Sequence, residues 1–162
     1  MITLVLGGAR SGKSAVAERL AAALPHPVAY VATGTPTDAD MAARIAAHRL
    51  RRPPEWSTVE VGADLPEAVA RLQGSLLIDA LGTWVAATDG FTADGPALAH
   101  ALAHRPGDAV IVSDEVGLGV HPSTDVGRRF RDRLGEVNRA VADVADEVLL
   151  VVAGRVLRLE AV

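Results

Sequence analysis

Between a short apolar run, Ile2–Leu6, and a helical pattern that begins at Lys13, the chain reads Gly7-Gly8-Ala9-Arg10-Ser11-Gly12-Lys13-Ser14. This is a full match to G-x-x-x-x-G-K-[ST], and it sits between a strand and a helix, the context the pattern requires. The glycines let the backbone curl until its N–H groups face inward around phosphate oxygens, and the helix that follows adds its positive end. Lys13 is then expected to reach the β- and γ-phosphates of a nucleoside triphosphate, and the Ser14 hydroxyl to ligate Mg²⁺. The chain carries fifteen arginines and only this one lysine. A compact ammonium has therefore been kept at the one position where a planar guanidinium fork would not fit.

The rest of the chain continues the same alternation. Val28–Ala32 (VAYVA) is a second strand, and Asp38 to Arg51 reads as a helix with Asp38 as N-cap and Pro53-Pro54 as its stop. Ser57–Val61 is a weaker strand, Asp64–Leu72 a helix, Leu76–Ile78 a strand ending at Asp79, and Pro96–His104 an Ala-rich helix. Ala109–Ser113 is a further strand and Asp125–Ala145 the longest helix, while Glu147–Val152 and Val156–Leu159 flank Ala153-Gly154 as a terminal hairpin. Thr88–Gly95 and Glu115–Ser123 read as loops. The expectation is one α/β domain over residues 1–162, a P-loop nucleotide-binding fold with a mostly parallel sheet and helices on both faces.

Charge and composition narrow the partners. With 20 acidic against 16 basic side chains and a net charge of −4, the chain lacks the basic footprint of a sequence-independent nucleic-acid binder. It has no cysteine, which removes disulfides and zinc-thiolate sites. No apolar stretch approaches the ~18–20 residues of a membrane span, and Met1 leads into a strand without a basic leader. A soluble, cytoplasmic protein without nucleic-acid partners is expected.

A phosphate loop needs a carboxylate nearby, usually at the end of an apolar strand. Asp79 closes one such strand, and Asp114-Glu115 closes another; either could also serve as a turn or helix cap. One histidine has a notable setting. Met41, Ile45 and His48 fall at i, i+4 and i+7 on one helical face, with Arg44 four residues before His48 and Arg51 three after. Flanking guanidinium groups disfavour imidazolium and suit an incoming phosphoryl group, although a lone histidine near a helix end also fits a surface role. His100 and His104 have the spacing of a metal pair without a third ligand nearby.

Several blocks together resemble a known family, the bifunctional adenosylcobinamide kinase / adenosylcobinamide-phosphate guanylyltransferase of cobalamin biosynthesis. They are the loop at residues 7–14, Tyr30-Val31-Ala32-Thr33, Met41-Ala42-Ala43-Arg44-Ile45 with His48, Arg52-Pro53 and Trp56, and Ser113-Asp114-Glu115-Val116-Gly117-Leu118-Gly119-Val120 with Pro122. Arg129-Phe130-Arg131-Asp132, Gly135, Val137-Asn138 and Ala145-Asp146-Glu147-Val148 extend the likeness almost end to end.

The resemblance implies a RecA-like sheet, ATP or GTP as phosphoryl donor to adenosylcobinamide, and transfer of GMP from GTP to the resulting phosphate through a guanylyl-histidine. The matching histidine is His48. Gly7, Gly8, Ala9, Arg10, Ser11, Gly12, Lys13 and Ser14 match GTP-phosphate ligands, and Ala32, Thr33 and Gly34 the lining of the nucleotide site. Arg49, Leu50, Arg51, Arg52, Glu60 and Asp79 match further nucleotide contacts; the metal ligands expected from the loop chemistry and the strand-end position are Ser14 and Asp79. It also implies a homo-oligomer, typically a trimer. This chain has Ala47-His48 where some relatives have two histidines, Asp79 where some have glutamate, and Asp114 where some have asparagine. The sequence names no general base for the kinase step. An ordinary P-loop small-molecule kinase and a non-enzymatic GTP-binding switch are the alternative readings of the same loop.

Overall fold

A computed structural model of the protein describes residues 1–34 and 53–161. Strand β1 (Ile2–Gly7) sends Leu4 and Leu6 to one side of the sheet and Val5 to the other, because successive side chains of a strand alternate. The same split occurs in β2 (Val28–Ala32), β4 (Ser75–Asp79) and β5 (Ala109–Asp114), whose apolar runs are buried on both faces. That double burial explains why VAYVA, LLI and AVIV show no polar alternation.

Among the described residues the sheet has seven strands in the order β3-β2-β4-β5-β1-β6-β7, with β3 (Ser57–Glu60), β6 (Glu147–Val152) and β7 (Arg155–Leu159) completing it. Strands β1 to β6 are parallel, and β7 returns antiparallel to β6. The expected terminal hairpin is therefore present. Its turn residues Ala153 and Gly154 both have positive φ, 50° and 72°.

Helix α1 (Lys13–Ala21) covers one face with Val16, Ala17 and Ala21, beside Trp56. The opposite face carries α2 (Leu65–Arg71), α3 (Leu81–Ala87), α4 (Gly95–His104) and α5 (Asp125–Ala142). Their apolar stripes, including Leu65, Val69, Trp84, Leu98, Leu102, Leu134, Val137 and Val141, form the larger core. Helices thus lie on both faces, as the alternating pattern predicts.

Most elements differ from the sequence expectations by a few residues at most at their ends, and one element was not expected. Helix α5 ends at Ala142 rather than Ala145, and α4 begins at Gly95, where the Asp94 side chain accepts from the Ala97 N–H at 2.9 Å. Helix α3 has no counterpart in the sequence pattern. Its seven residues include Gly82, Thr83 and Val85, which form helices poorly, and burial of Leu81, Trp84 and Val85 holds it. A short 3₁₀ turn at Asp89–Phe91 follows within the expected loop. The helix expected from Asp38 to Arg51 lies outside the described residues, except for its proline stop.

Candidate nucleotide site

The glycine-rich turn leaves the sheet at the carboxyl end of β1. Gly7 is the last strand residue, and a Cβ there would meet the Ser11 side chain and stand 2.8 Å from the Val151 carbonyl oxygen, so only glycine fits. The chain then folds back: the Ser11 N–H donates to the Gly8 carbonyl at 3.3 Å, and Gly12 takes φ 96° to launch α1. Gly12 supplies no side-chain cap, and the Lys13 N–H that opens α1 donates to Ser11 Oγ at 3.4 Å; a helix start of this kind suits an anion. A further support is distant in sequence. The Gly154 N–H in the β6–β7 turn donates to the Ser11 carbonyl at 2.8 Å, and Gly154 packs against Gly12.

Lys13 is the first residue of α1, with 13% of its side chain exposed. Its Nζ lies 2.6 Å from Asp114 Oδ1 and donates to the Gly8 carbonyl at 3.2 Å. Asp114 closes β5 directly beside Gly7, its register partner. The backbone around it is fixed from two directions. Asn138 Nδ2 donates to the Asp114 carbonyl at 3.1 Å while Asn138 Oδ1 accepts from Ser113 Oγ at 2.5 Å, and the Glu115 N–H donates to the Gly7 carbonyl at 3.1 Å. The other carboxylate oxygen, Oδ2, rests against Gly82 in the first turn of α3, where a Cβ would collide with it. Of the two strand-end carboxylates considered from sequence, Asp114 therefore meets the lysine. Glu115 turns away, its Oε1 accepting from the Gly117 N–H at 2.5 Å.

Asp79 ends β4, separated from β1 by β5. Its Oδ2 accepts from the Tyr30 hydroxyl at 2.8 Å. Strand register sets Ala32 beside both Glu60 and Asp79, so three residues from separate parts of the sequence form one row at the strand ends. Thr33 follows Ala32 and is buried. Its hydroxyl donates to the Ala80 carbonyl at 2.6 Å, accepts from the Ala80 N–H at 3.0 Å and meets the Thr83 hydroxyl at 2.7 Å. Thr33 thus fastens the turn after Asp79, and its own N–H donates to the Asp79 carbonyl at 3.4 Å. His48, Arg49, Leu50, Arg51 and Arg52 lie outside the described residues.

Sequence reasoning did not single out Gly154, Thr83 or Asn138 as supports. Asn138 had a readable signal: it shares the buried stripe of Leu134, Val137 and Val141, where a polar residue must find buried partners. Nothing local in the sequence marks Gly154 as a neighbour of Gly12.

The family described as cobinamide kinase / cobinamide phosphate guanyltransferase matches residues 3–159 of the chain. The chain is 41% identical over 165 residues to the bifunctional adenosylcobalamin biosynthesis protein CobP of Pseudomonas aeruginosa, covering 95% of this chain and 94% of that one. It is 40% identical over 177 residues to the bifunctional adenosylcobalamin biosynthesis protein CobU of Salmonella typhimurium, covering 95% and 97%. Among solved structures, an ATPase from the type III secretion system of pathogenic bacteria shares the fold with a TM-score of 0.58 at 10% identity. That match takes in 92% of this chain and half of the ATPase chain, and it bears on the P-loop α/β fold alone.

Proposed function

This chain belongs to the cobinamide kinase / cobinamide phosphate guanyltransferase family, and from that premise we propose how its residues divide the work. The protein is a bifunctional kinase and guanylyltransferase of cobalamin biosynthesis. In the kinase reaction, the hydroxyl oxygen of adenosylcobinamide attacks the γ-phosphorus of ATP or GTP and the nucleoside diphosphate leaves. In the second, a nitrogen of His48 attacks the α-phosphorus of GTP and pyrophosphate leaves. An oxygen of adenosylcobinamide phosphate then attacks the same phosphorus, freeing the imidazole and giving adenosylcobinamide-GDP.

The observation that carries this reading is the phosphate loop with Lys13 at the mouth of α1, set beside the strand-end row of Glu60, Ala32 and Asp79. The loop N–H groups and Lys13 hold the triphosphate and offset charge that develops on the leaving phosphates. Ala32, Thr33, Gly34 and Glu60 line the nucleoside end in this reading, and Arg49, Leu50, Arg51 and Arg52 follow His48 as further nucleotide contacts.

The oxygen donors of Ser14 and Asp79 suit Mg²⁺, a hard ion that takes one or two protein ligands and completes its shell with phosphates and water. Among the described residues no group of three or more His, Asp or Glu side chains is arranged to hold a metal ion. Mg²⁺ bound there would neutralise phosphate charge during both transfers.

The proposed assembly is a homotrimer, as the family resemblance implies, acting in the cytoplasm without nucleic acid, as the charge balance and the lack of a long apolar stretch suggest. Exposed Leu118 and Val120 before α5, Val126 in its first turn, and Val152, Val156 and Leu157 on the hairpin supply apolar surface for contacts between copies. Among the described residues no helix is long and apolar enough to cross a membrane.

The test is label transfer. With α-labelled GTP and Mg²⁺, the protein should acquire acid-labile label that is absent from His48→Ala. An intact protein that phosphorylates adenosylcobinamide but takes up no label would reduce the reading to a kinase without a guanylyl-histidine.

A further inference from the structure

The ion pair between Lys13 and Asp114 places an anion where a nucleotide phosphate is to compete for the same ammonium. The pair is close, at 2.6 Å, and Asp114 has 35% of its side chain exposed, so the carboxylate borders the open mouth of the loop. Its backbone is held from behind: the Asn138 amide donates to the Asp114 carbonyl and the Glu115 N–H ties the next residue to Gly7, while the absence of a Cβ at Gly82 makes room for Oδ2. With residue 114 anchored by α5 and β1, the carboxylate stays within side-chain reach of Lys13 when phosphate arrives.

We propose that Asp114 is the counter-ion that sets the affinity of the phosphate loop: it holds Lys13 while the loop is empty, gives it up to an incoming triphosphate, and reclaims it as the phosphate product leaves. The inference rests on the reading of the loop as a nucleotide site and assigns that site a residue working against tight binding. Two costs fall on the nucleotide. Lys13 must exchange one anionic partner for another, which reduces the net gain, and the carboxylate left behind stands near a polyanion. Mg²⁺ travelling with the nucleotide offsets the second cost, so Asp114 also favours the metal complex over the free triphosphate. Release of the short-lived phosphate products is served by the same arrangement, since the lysine has a partner waiting. Such release matters for an enzyme that must clear its site between two successive transfers.

Asp114→Asn tests this, because it keeps the shape and an oxygen for Lys13 while deleting the charge. The probe is guanosine 5′-[α,β-methylene]triphosphate, which cannot donate GMP, titrated with and without Mg²⁺. The variant is expected to bind the Mg²⁺ complex about tenfold more tightly, mainly through slower dissociation, and to gain more than that for the metal-free probe. Gly82→Ala, whose new Cβ pushes on Oδ2 and so loosens the pair without changing residue 114, should shift affinity in the same direction. It decides the matter if Asp114→Asn folds poorly. Unchanged or weaker binding in a folded variant overturns the proposal while leaving the nucleotide site intact. Failure of the unaltered protein to bind the probe at all overturns the nucleotide-site reading itself.

Discussion

The Ser11 carbonyl accepts a 2.8 Å hydrogen bond from the Gly154 N–H, so the turn of the terminal hairpin braces the phosphate loop from 143 residues away in sequence. At Gly154 the backbone has φ 72°, which strains any residue with a Cβ. Gly154→Ala keeps the donor and should cost about 1–2 kcal/mol through that strain. Gly154→Pro removes the donor and fixes φ near −65°, so it should cost about 3 kcal/mol or more and weaken nucleotide binding beyond the alanine variant. Denaturant titration and nucleotide binding, measured on both variants, separate strain from the lost bond.

Lys13 serves both reactions in the proposed mechanism. Lys13→Ala should lower kinase and guanylyl-transfer rates together, each by about 10²–10³-fold, the usual effect of deleting one charge-stabilising donor. Parallel assays with the two acceptors, adenosylcobinamide and its phosphate, check this. Full kinase activity in the variant would separate the two triphosphate sites.

Tyr30→Phe removes the hydroxyl that donates to Asp79 Oδ2 at 2.8 Å. Tyr30 is otherwise buried in the core, so its ring packing should survive. The lost hydrogen bond to a carboxylate corresponds to about 1.5–3 kcal/mol at most, and the expected result is a several-fold rise in the Mg²⁺ concentration needed for half-maximal activity. Melting temperature should fall by no more than about 5–10 °C, with the fold retained. An unaltered Mg²⁺ requirement would remove Asp79 from the metal's surroundings.

Arg105 lies at the opposite end of the sheet, before β5, with 8% exposure. Its guanidinium donates to the carbonyls of Leu72 at 3.3 Å, Gly74 at 2.5 Å, Gly107 at 3.0 Å and Asp108 at 3.2 Å, joining the segments that enter β4 and β5. Burial pulls its pKa below the ordinary arginine range, with Asp108 acting in the opposite direction, and the group stays charged because a guanidinium is not deprotonated in proteins. Arg105→Met strands those carbonyls and should destabilise the fold by about 3–5 kcal/mol. Urea denaturation measures the loss, and nucleotide affinity below the transition should stay within about twofold because residue 105 is remote from the loop.

How much of the site was legible depended on the range of the interaction concerned. The loop at residues 7–14 could be read directly, since its glycines, its lysine and the flanking strand and helix are contiguous. Strands β2, β4 and β5 were legible from apolar runs of the right length. Helix α3 was not, because its residues have poor helical propensity and only burial of Leu81, Trp84 and Val85 makes it form. Asp79 and Asp114 presented the same local signature, a carboxylate after an apolar strand. Their difference came from strand order, which sets Asp114 beside Gly7 and within reach of Lys13, and Asp79 one strand further away beside Ala32 and within reach of Tyr30.

Read alone, the sequence identified a P-loop α/β protein, the family it resembles, and a phosphate-loop motif whose lysine is the only one in the chain. These properties are carried by neighbouring residues or by patterns of strand and helix period, and local sterics suffice to express them. Tertiary structure alone decided which carboxylate holds that lysine, which turn braces the loop, and which strand ends share a row. Each of those depends on parallel pairing between segments tens of residues apart, whose order and register follow from how the whole sheet buries both faces.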